Sequence, residues 1–187
     1  IKNQSIKPSK RKLIMIKGYQ GLLGMGLHAI KALELISNEL KDFKIIIYSA
    51  EKEVINYYQK IKNKINLSID IFPINHNLDQ SQMYKYFSKS RVYLGISRSD
   101  GVSTSLLEAM ALGTFPIQSA TSCAEEWIKN GKSGFIVKNN ISIISQKLLK
   151  AVKDDNLVNN ASKINLNIIK KKANSKKVKR IIRNFYK

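Results

Sequence analysis

Short runs of Ile, Leu, Val and Met alternate along this chain with stretches whose apolar residues recur every three to four positions, and that alternation limits the folds open to it. A continuous apolar run bounded by turn residues reads as a strand buried on both faces. A helix between two such runs supplies the crossover that parallel strands require. Strands are predicted over Leu13 to Lys17, Lys44 to Ser49, Leu67 to Phe72, Arg91 to Ile96, Phe115 to Gln118 and Phe135 to Val137. Helices are predicted over Leu27 to Leu40, Glu51 to Ile61, Asp79 to Ser88 with Asp79 as the cap, Ser103 to Leu112 closed by Gly113, Ala124 to Lys129, and Ile141 to Lys153.

The implied class is α/β: a Rossmann-like parallel sheet of about six strands with helices on both faces, binding its ligand at the carboxyl ends of the strands. Residues 1–12, polar and basic with Pro8 as a breaker, read as a linker; 13–155 form the domain; 156–187 are helical and strongly basic. The chain opens on Ile1 with no signal-peptide pattern, so it is expected to continue from an upstream part. At 43% hydrophobic residues it suits a globular domain, and no apolar run approaches the roughly 20 residues of a membrane span. Cys123 is the single cysteine, which precludes an internal disulfide and points to a reducing cytoplasm.

Lysine and arginine number 33 against 13 acids, a net charge of +20. Clustered cations suit nucleic-acid phosphates, yet no groove-binding motif appears and aromatic residues are not spaced among the basic ones as base-stacking platforms. That disfavours nucleic acid and leaves an anionic membrane surface or an acidic substrate as the partner of the charge. Neither His28 nor His76 has metal-ligand company, so no bound metal is expected.

The segment SRSDGVSTSLLEAMALGTFPIQS, Ser97 to Ser119, carries the chemistry. Gly101 allows a bulky group to approach the main chain. Val102, Ser103, Thr104 and Ser105 stand where a helix begins, so their amides lack helical partners and, with the helix dipole, suit an anionic phosphate. Asp100 and Glu108 flank this stretch with seven residues between them. Ser105 and Glu108 also have the S-x-x-E spacing of a capping box, which stabilises a helix start without any ligand, and Ser103 or Thr104 can serve as a plain N-cap.

The longer stretch from Ser97 to Val137 resembles the donor-binding core of the C-terminal domain of GT-B glycosyltransferases, of the large retaining group called glycosyl transferases group 1. Leu106, Leu107, Glu108, Ala109, Met110, Ala111, Gly113 and Pro116 stand in that group's order, Glu126 follows at its spacing, and Gly131 and Gly134 supply its G-x-x-G turn. The resemblance implies one half of a GT-B fold, acting on a nucleotide-diphosphate sugar and needing no cofactor. Its two acids would be Asp100 on the transferred sugar, where the group usually has Glu, and Glu108 on the nucleotide ribose. Lys17 and Gly18 would join Gly101, Val102, Ser103, Thr104 and Ser105 in holding the donor, while Pro73, Ile74 and His76 would touch the nucleobase. The group usually places an Arg and a Lys around the first strand–helix loop; here Tyr19 and Met25 fall at those positions, with Lys12, Lys17 and Arg98 as nearby cations.

The expected function is transfer of a sugar from a nucleotide-diphosphate donor to an acceptor hydroxyl, with retention, in the cytoplasm or at the inner face of the membrane. The acceptor would lie on an N-terminal domain outside this chain. A sugar-nucleotide-binding module without activity and a polyanion-binding domain remain the alternatives. The tail carries Lys170, Lys171, Lys172, Lys176, Lys177, Lys179, Arg180 and Arg183, with Val178, Ile181, Ile182 and Phe185 at helical spacing; it reads either as a solvated helix or as a membrane-docking one.

Overall fold

A computed structural model describes residues 6–76, 78–120, 123–173, 179 and 183–184. Its strands are β1 Leu13–Lys17, β2 Lys44–Ala50, β3 Ser68–Pro73, β4 Ser90–Gly95, β5 Phe115–Ser119 and β6 Phe135–Val137. They form one six-stranded sheet in the order β3-β2-β1-β4-β5-β6, with every pairing parallel. The helices are α1 Gly26–Leu35, α2 Lys52–Ile61, α3 Gln80–Lys89, α4 Thr104–Ala111, α5 Ala124–Trp127, α6 Ile141–Lys153 and α7 Asp155–Lys172. The expected Rossmann-like sheet is therefore present, and its order reverses between β1 and β4, where doubly wound sheets bind ligands.

Strand periodicity divides the core in two. Ile14 and Ile16 of β1, Ile45 and Ile47 of β2, and Val92 and Leu94 of β4 pack beneath α1, α2 and α6. The alternate residues Leu13, Met15, Ile46, Tyr48 and Tyr93 meet Phe87 of α3 and Leu106, Ala109 and Met110 of α4 on the other face. α7 serves both sides, with Val158 and Ala161 in the first core and Ile168 and Ile169 against the second. At the open edge, β3 is only partly buried, and Lys44 reaches across from β2 to pair with Asp70 at 2.7 Å.

Local chemistry sets the boundaries. Asp79 and Gln82 close a reciprocal capping box on α3, the Gln82 amide donating to Asp79 Oδ1 at 2.8 Å and the Asp79 amide to Gln82 Oε1 at 2.9 Å. The helix predicted over 27–40 instead ends at Leu35 and resumes as a 3-10 turn over Ser37–Leu40. Ser37 and Asn38 favour competing local conformations there, while Leu40 stays fully buried. Pro116 lies opposite Tyr93 of β4, and pairing with β6 begins one residue later, at Ile117. A Cβ on Gly134 would lie 2.7 Å from both Pro116 Cγ and its carbonyl oxygen, so these two motif residues require each other.

Two arginines that swell the net charge are buried, each only 2% exposed. Arg11 donates from Nε to the Ile6 carbonyl at 3.1 Å, and from Nη1 to those of Ser90 and Leu112 at 3.1 and 3.0 Å. Burial lowers its pKa to about 10. Arg91 donates to the Ala151 and Ser9 carbonyls at 3.0 and 2.7 Å and pairs with Asp155 at 2.7 Å. Together with Ser9, whose amide donates to Asn159 at 3.1 Å, they fasten a 3-10 turn over Pro8–Lys10, inside the segment read as a linker, to β4, α6 and α7. Residues 174–178, 180–182 and 185–187 lie outside the described residues, and with them Lys176, Lys177, Arg180 and the apolar Val178, Ile181, Ile182 and Phe185 of the predicted tail helix.

Candidate functional site

Two loops meet above the crevice between β1 and β4. The glycine-rich loop after β1 is tied to the loop after β4 by an antiparallel bridge between Gly24 and Ser97. The Met25 amide donates to the Ile96 carbonyl at 3.1 Å, and the Arg98 amide to that of Leu23 at 2.8 Å. Gly18 is a glycine for a packing reason, since a Cβ there would stand 2.7 Å from Ala50 Cα. The same loop fills the amino end of α1: the Gly26 amide donates to the Tyr19 carbonyl at 2.7 Å and the Leu27 amide to Gln20 Oε1 at 3.0 Å.

The amino end of α4 is different. Ser103 is its N-cap residue and is buried, yet its side chain makes no capping bond. The amides of Val102, Ser103, Thr104, Ser105 and Leu106 have no partner among the described residues; the first to bond is Leu107, to Ser103. Ser105 sits inside the helix, so the capping box weighed from the sequence does not form. Glu108 falls in the second turn of the helix. It is half-buried, no described residue gives it a hydrogen bond or ion pair, and burial raises its pKa. Gly101 and Val102 are exposed, and a Cβ on Gly101 would meet nothing within 4 Å.

Beside this helix end lies a cavity of about 610 Å³, walled by Lys17, Tyr19, Ser97, Ser99, Asp100 and Gly101 among others. Lys17 Nζ pairs with Asp100 Oδ2 at 3.1 Å, and its ammonium stands 5.0 Å from the centre of the Tyr19 ring. Tyr19, at the position where Arg is usual, thus carries a cation instead of supplying one. Met25 is buried in the core. Lys12, counted among the nearby cations, precedes β1 and reaches Asp42 and Phe43 at the opposite end of the sheet. Arg98 stays at the crevice, close enough to His28 to lower its pKa together with Lys31, the larger cause being burial.

A second cavity of about 240 Å³ shares Tyr19 as a wall and is lined by Ile74, His76, Tyr48 and Ser49. His76 stacks against Phe72 with 5.1 Å between centroids. Pro73 ends β3 opposite Ala50 and does not line this cavity. Among the described residues no three His, Cys, Asp or Glu side chains gather as a metal site, and no helix is long and apolar enough to cross a membrane. Cys123 is exposed.

Tyr48 and Tyr93 were not singled out from the sequence. Their side chains are buried beneath the mouth of α4, where the Tyr48 hydroxyl donates to that of Tyr93 at 3.4 Å. Ser105 stands near the Tyr48 hydroxyl and Ser103 near that of Tyr93. Burial raises both phenol pKa values, so both remain protonated donors. The register between β2 and β3 breaks between Ile47 and Ala50, and Ser49 takes a left-handed φ of +49° in that break. The available signal was a phenol near the carboxyl end of two otherwise aliphatic strands.

The model for glycosyl transferases group 1 matches residues 4–181 of this chain. No curated protein matches its sequence. Among solved structures, the C-terminal domain of the glycosyl transferase group 1 family protein LpcC from Francisella tularensis is similar, with a TM-score of 0.75 and 19% identity over 87% of this chain and 86% of that domain. A point mutant of S. aureus TarM in complex with fondaparinux, alpha-GlcNAc-glycerol and UDP gives a TM-score of 0.75 at 15% identity, over 93% of this chain and 35% of its own. The pneumococcal O-GlcNAc transferase GtfA, in complex with UDP and GlcNAc, gives 0.69 at 18% identity, over 90% and 34%. The chain thus spans about a third of the length of the latter two. At these identities the likeness concerns the fold.

Proposed function

This chain belongs to the glycosyl transferases group 1 family, and from that premise we propose that it is the donor-binding half of a retaining GT-B glycosyltransferase. Its donor would be a nucleotide-diphosphate sugar and its acceptor a hydroxyl presented by a second domain. The observation that carries this reading is the bare amino end of α4, with an unpartnered Glu108 on the same helix and an open cavity beside it at the sheet's switch point. Five successive amides at this helix start have no partner among the described residues, and an anion there gains from both the free donors and the helix dipole.

In this reading the diphosphate lies at the amides of residues 102–106. As the sugar leaves, negative charge grows on the departing phosphate oxygen, and those amides stabilise it together with Lys17. The Tyr19 ring steadies the Lys17 ammonium, so one residue before Gly18 takes over the work usually divided between an Arg and a Lys. Asp100 holds Lys17 through Oδ2 and offers Oδ1 to a sugar hydroxyl. Glu108 accepts from the two ribose hydroxyls. The smaller cavity, with Ile74 and His76, takes the nucleobase. No metal is needed, because backbone donors and a lysine supply the positive potential. The exposed Lys163 and Lys170 of α7 would favour an anionic membrane surface.

Calorimetric titration with UDP, GDP and ADP tests the proposal. One of the three should bind saturably, and Glu108→Ala should weaken it by about tenfold or more, the worth of a hydrogen bond to a charged group. Uptake of DNA alone, with a steep salt dependence, would favour the polyanion reading and end this one.

A further inference from the structure

A sheet whose strands are all parallel has two unlike ends, since every strand starts at one of them and every crossover helix finishes there. The crevice occupies the carboxyl end. There Glu51 and Asp79 stand at the N-caps of α2 and α3, Asp100 holds Lys17, and Glu125 and Glu126 open α5, so the excess positive charge is not at that end. The amino end carries it. Lys10 and Lys41 precede β1 and β2, Lys62 and Lys64 follow α2, and Lys89 and Lys150 lie in the last turns of α3 and α6. All six are exposed, and none pairs with an acid among the described residues. The acids at this end are already engaged: Asp42 by Lys12, Asp70 by Lys44, Glu39 by Lys153 and Asp155 by Arg91. Two large aliphatic side chains also meet solvent here. Leu35, the last residue of α1, is 63% exposed, and Ile6, whose carbonyl accepts from Arg11, is 43% exposed. The Glu39–Lys153 pair and the bonds from Arg91 to Ala151 and Ser9 run from the end of α1 through the end of α6 to the N-terminal turn, so these groups share one continuous face.

We propose that this face docks on an anionic lipid bilayer, the lysines against headgroup phosphates and Leu35 and Ile6 in the interfacial layer, with the donor crevice directed away from the lipid. The inference stands apart from the donor site. Its partner follows from the chemistry of the face. The cations left free are lysines, point charges spread over strand and helix ends, while the arginines at this end, Arg11 and Arg91, are buried among carbonyls. Both cavities lie at the other end. A broad field of point charges without fork or groove suits a sheet of laterally mobile anions better than a single phosphate or a duplex. Each lysine brought near such a surface raises partitioning about fivefold. An exposed leucine beside those cations gains from acyl chains and gains nothing from a nucleic acid.

The test is co-sedimentation of the whole chain with vesicles of phosphatidylcholine containing about 30% phosphatidylglycerol, and with phosphatidylcholine alone, at about 100 mM salt. A DNA duplex is titrated in parallel. The chain should partition onto the anionic vesicles and not onto the neutral ones. The double variant Lys62→Gln, Lys64→Gln should weaken that at least about tenfold, whereas the same loss of charge at the crevice end, Lys52→Gln with Lys138→Gln, should weaken it about twofold or less. Leu35→Ser should weaken vesicle binding about threefold or more and leave uptake of DNA unchanged. Thermal midpoints should match the wild type in every variant, and titration of UDP into the same samples reads the donor site separately. No partitioning, an equal loss from the two lysine pairs, or a Leu35→Ser chain that binds vesicles like the wild type would each overturn the docking face. Uptake of DNA in preference to anionic vesicles would give the face to nucleic acid and overturn it as well.

Discussion

Glu108 is a carboxylate held where the protein does not favour its charge. Burial raises its pKa above the 4.5 of an unperturbed glutamate, so around that range the folded chain keeps a proton that the unfolded chain has released. Its contribution to stability is therefore present at low pH and is lost as pH rises through the native pKa. At neutral pH the ionised group opposes folding. Glu108→Gln should hold or raise the thermal midpoint at pH 7 while weakening UDP by about tenfold, and the wild-type affinity for UDP should fall as pH drops through the native pKa. Calorimetry and thermal melts across pH 4 to 7 would show both, and a midpoint lowered by the substitution would contradict the argument. Glu108 and Asp100 were singled out from the sequence because their motif is contiguous. Tyr48 and Tyr93 were not, since 45 positions part them and only the sheet order that places β1 between β2 and β4 brings their hydroxyls together.

At the scale of elements, strands were the clearest, because continuous aliphatic runs leave little choice of register or face. β1 and β6 match their expected bounds, and so does α6. The first helix ran past its observed end because apolar spacing continues through Ile36 and Leu40, and periodicity does not distinguish an α-helix from a 3-10 turn that buries the same residues. The N-terminal turn was illegible for a different reason: an arginine counted as surface charge gives no sign that three carbonyls will enclose it. Arg11→Met keeps the apolar stem but deserts the carbonyls of Ile6, Ser90 and Leu112. It should cost about 2–4 kcal/mol in urea unfolding, with early hydrogen exchange across residues 8–12. An unchanged midpoint would mean that the turn holds without its clasp.

Across the whole molecule, a charge of +20 implies self-repulsion that few internal pairs relieve; only two of the ion pairs among the described residues have a cation less than one-fifth exposed, Lys17–Asp100 and Arg91–Asp155. Raising ionic strength from about 20 to about 300 mM should therefore raise the thermal midpoint at pH 7 and weaken UDP binding in the same experiment, because screening relieves the one and dulls the other. A midpoint that falls with salt would place the repulsion elsewhere. The sum of the charges is legible in the sequence and their arrangement is not, so this opposition emerges only once the ion pairs among the described residues are seen to engage four lysines and Arg91. The crevice has one more asymmetry. Two helices point their amino ends at it, and Gln20 stoppers the first with its own carboxamide while the second stands open. Such a socket is keyed: a ligand with one anionic end can seat in a single polarity, and an inhibitor carrying negative charge at both ends should gain nothing from the second.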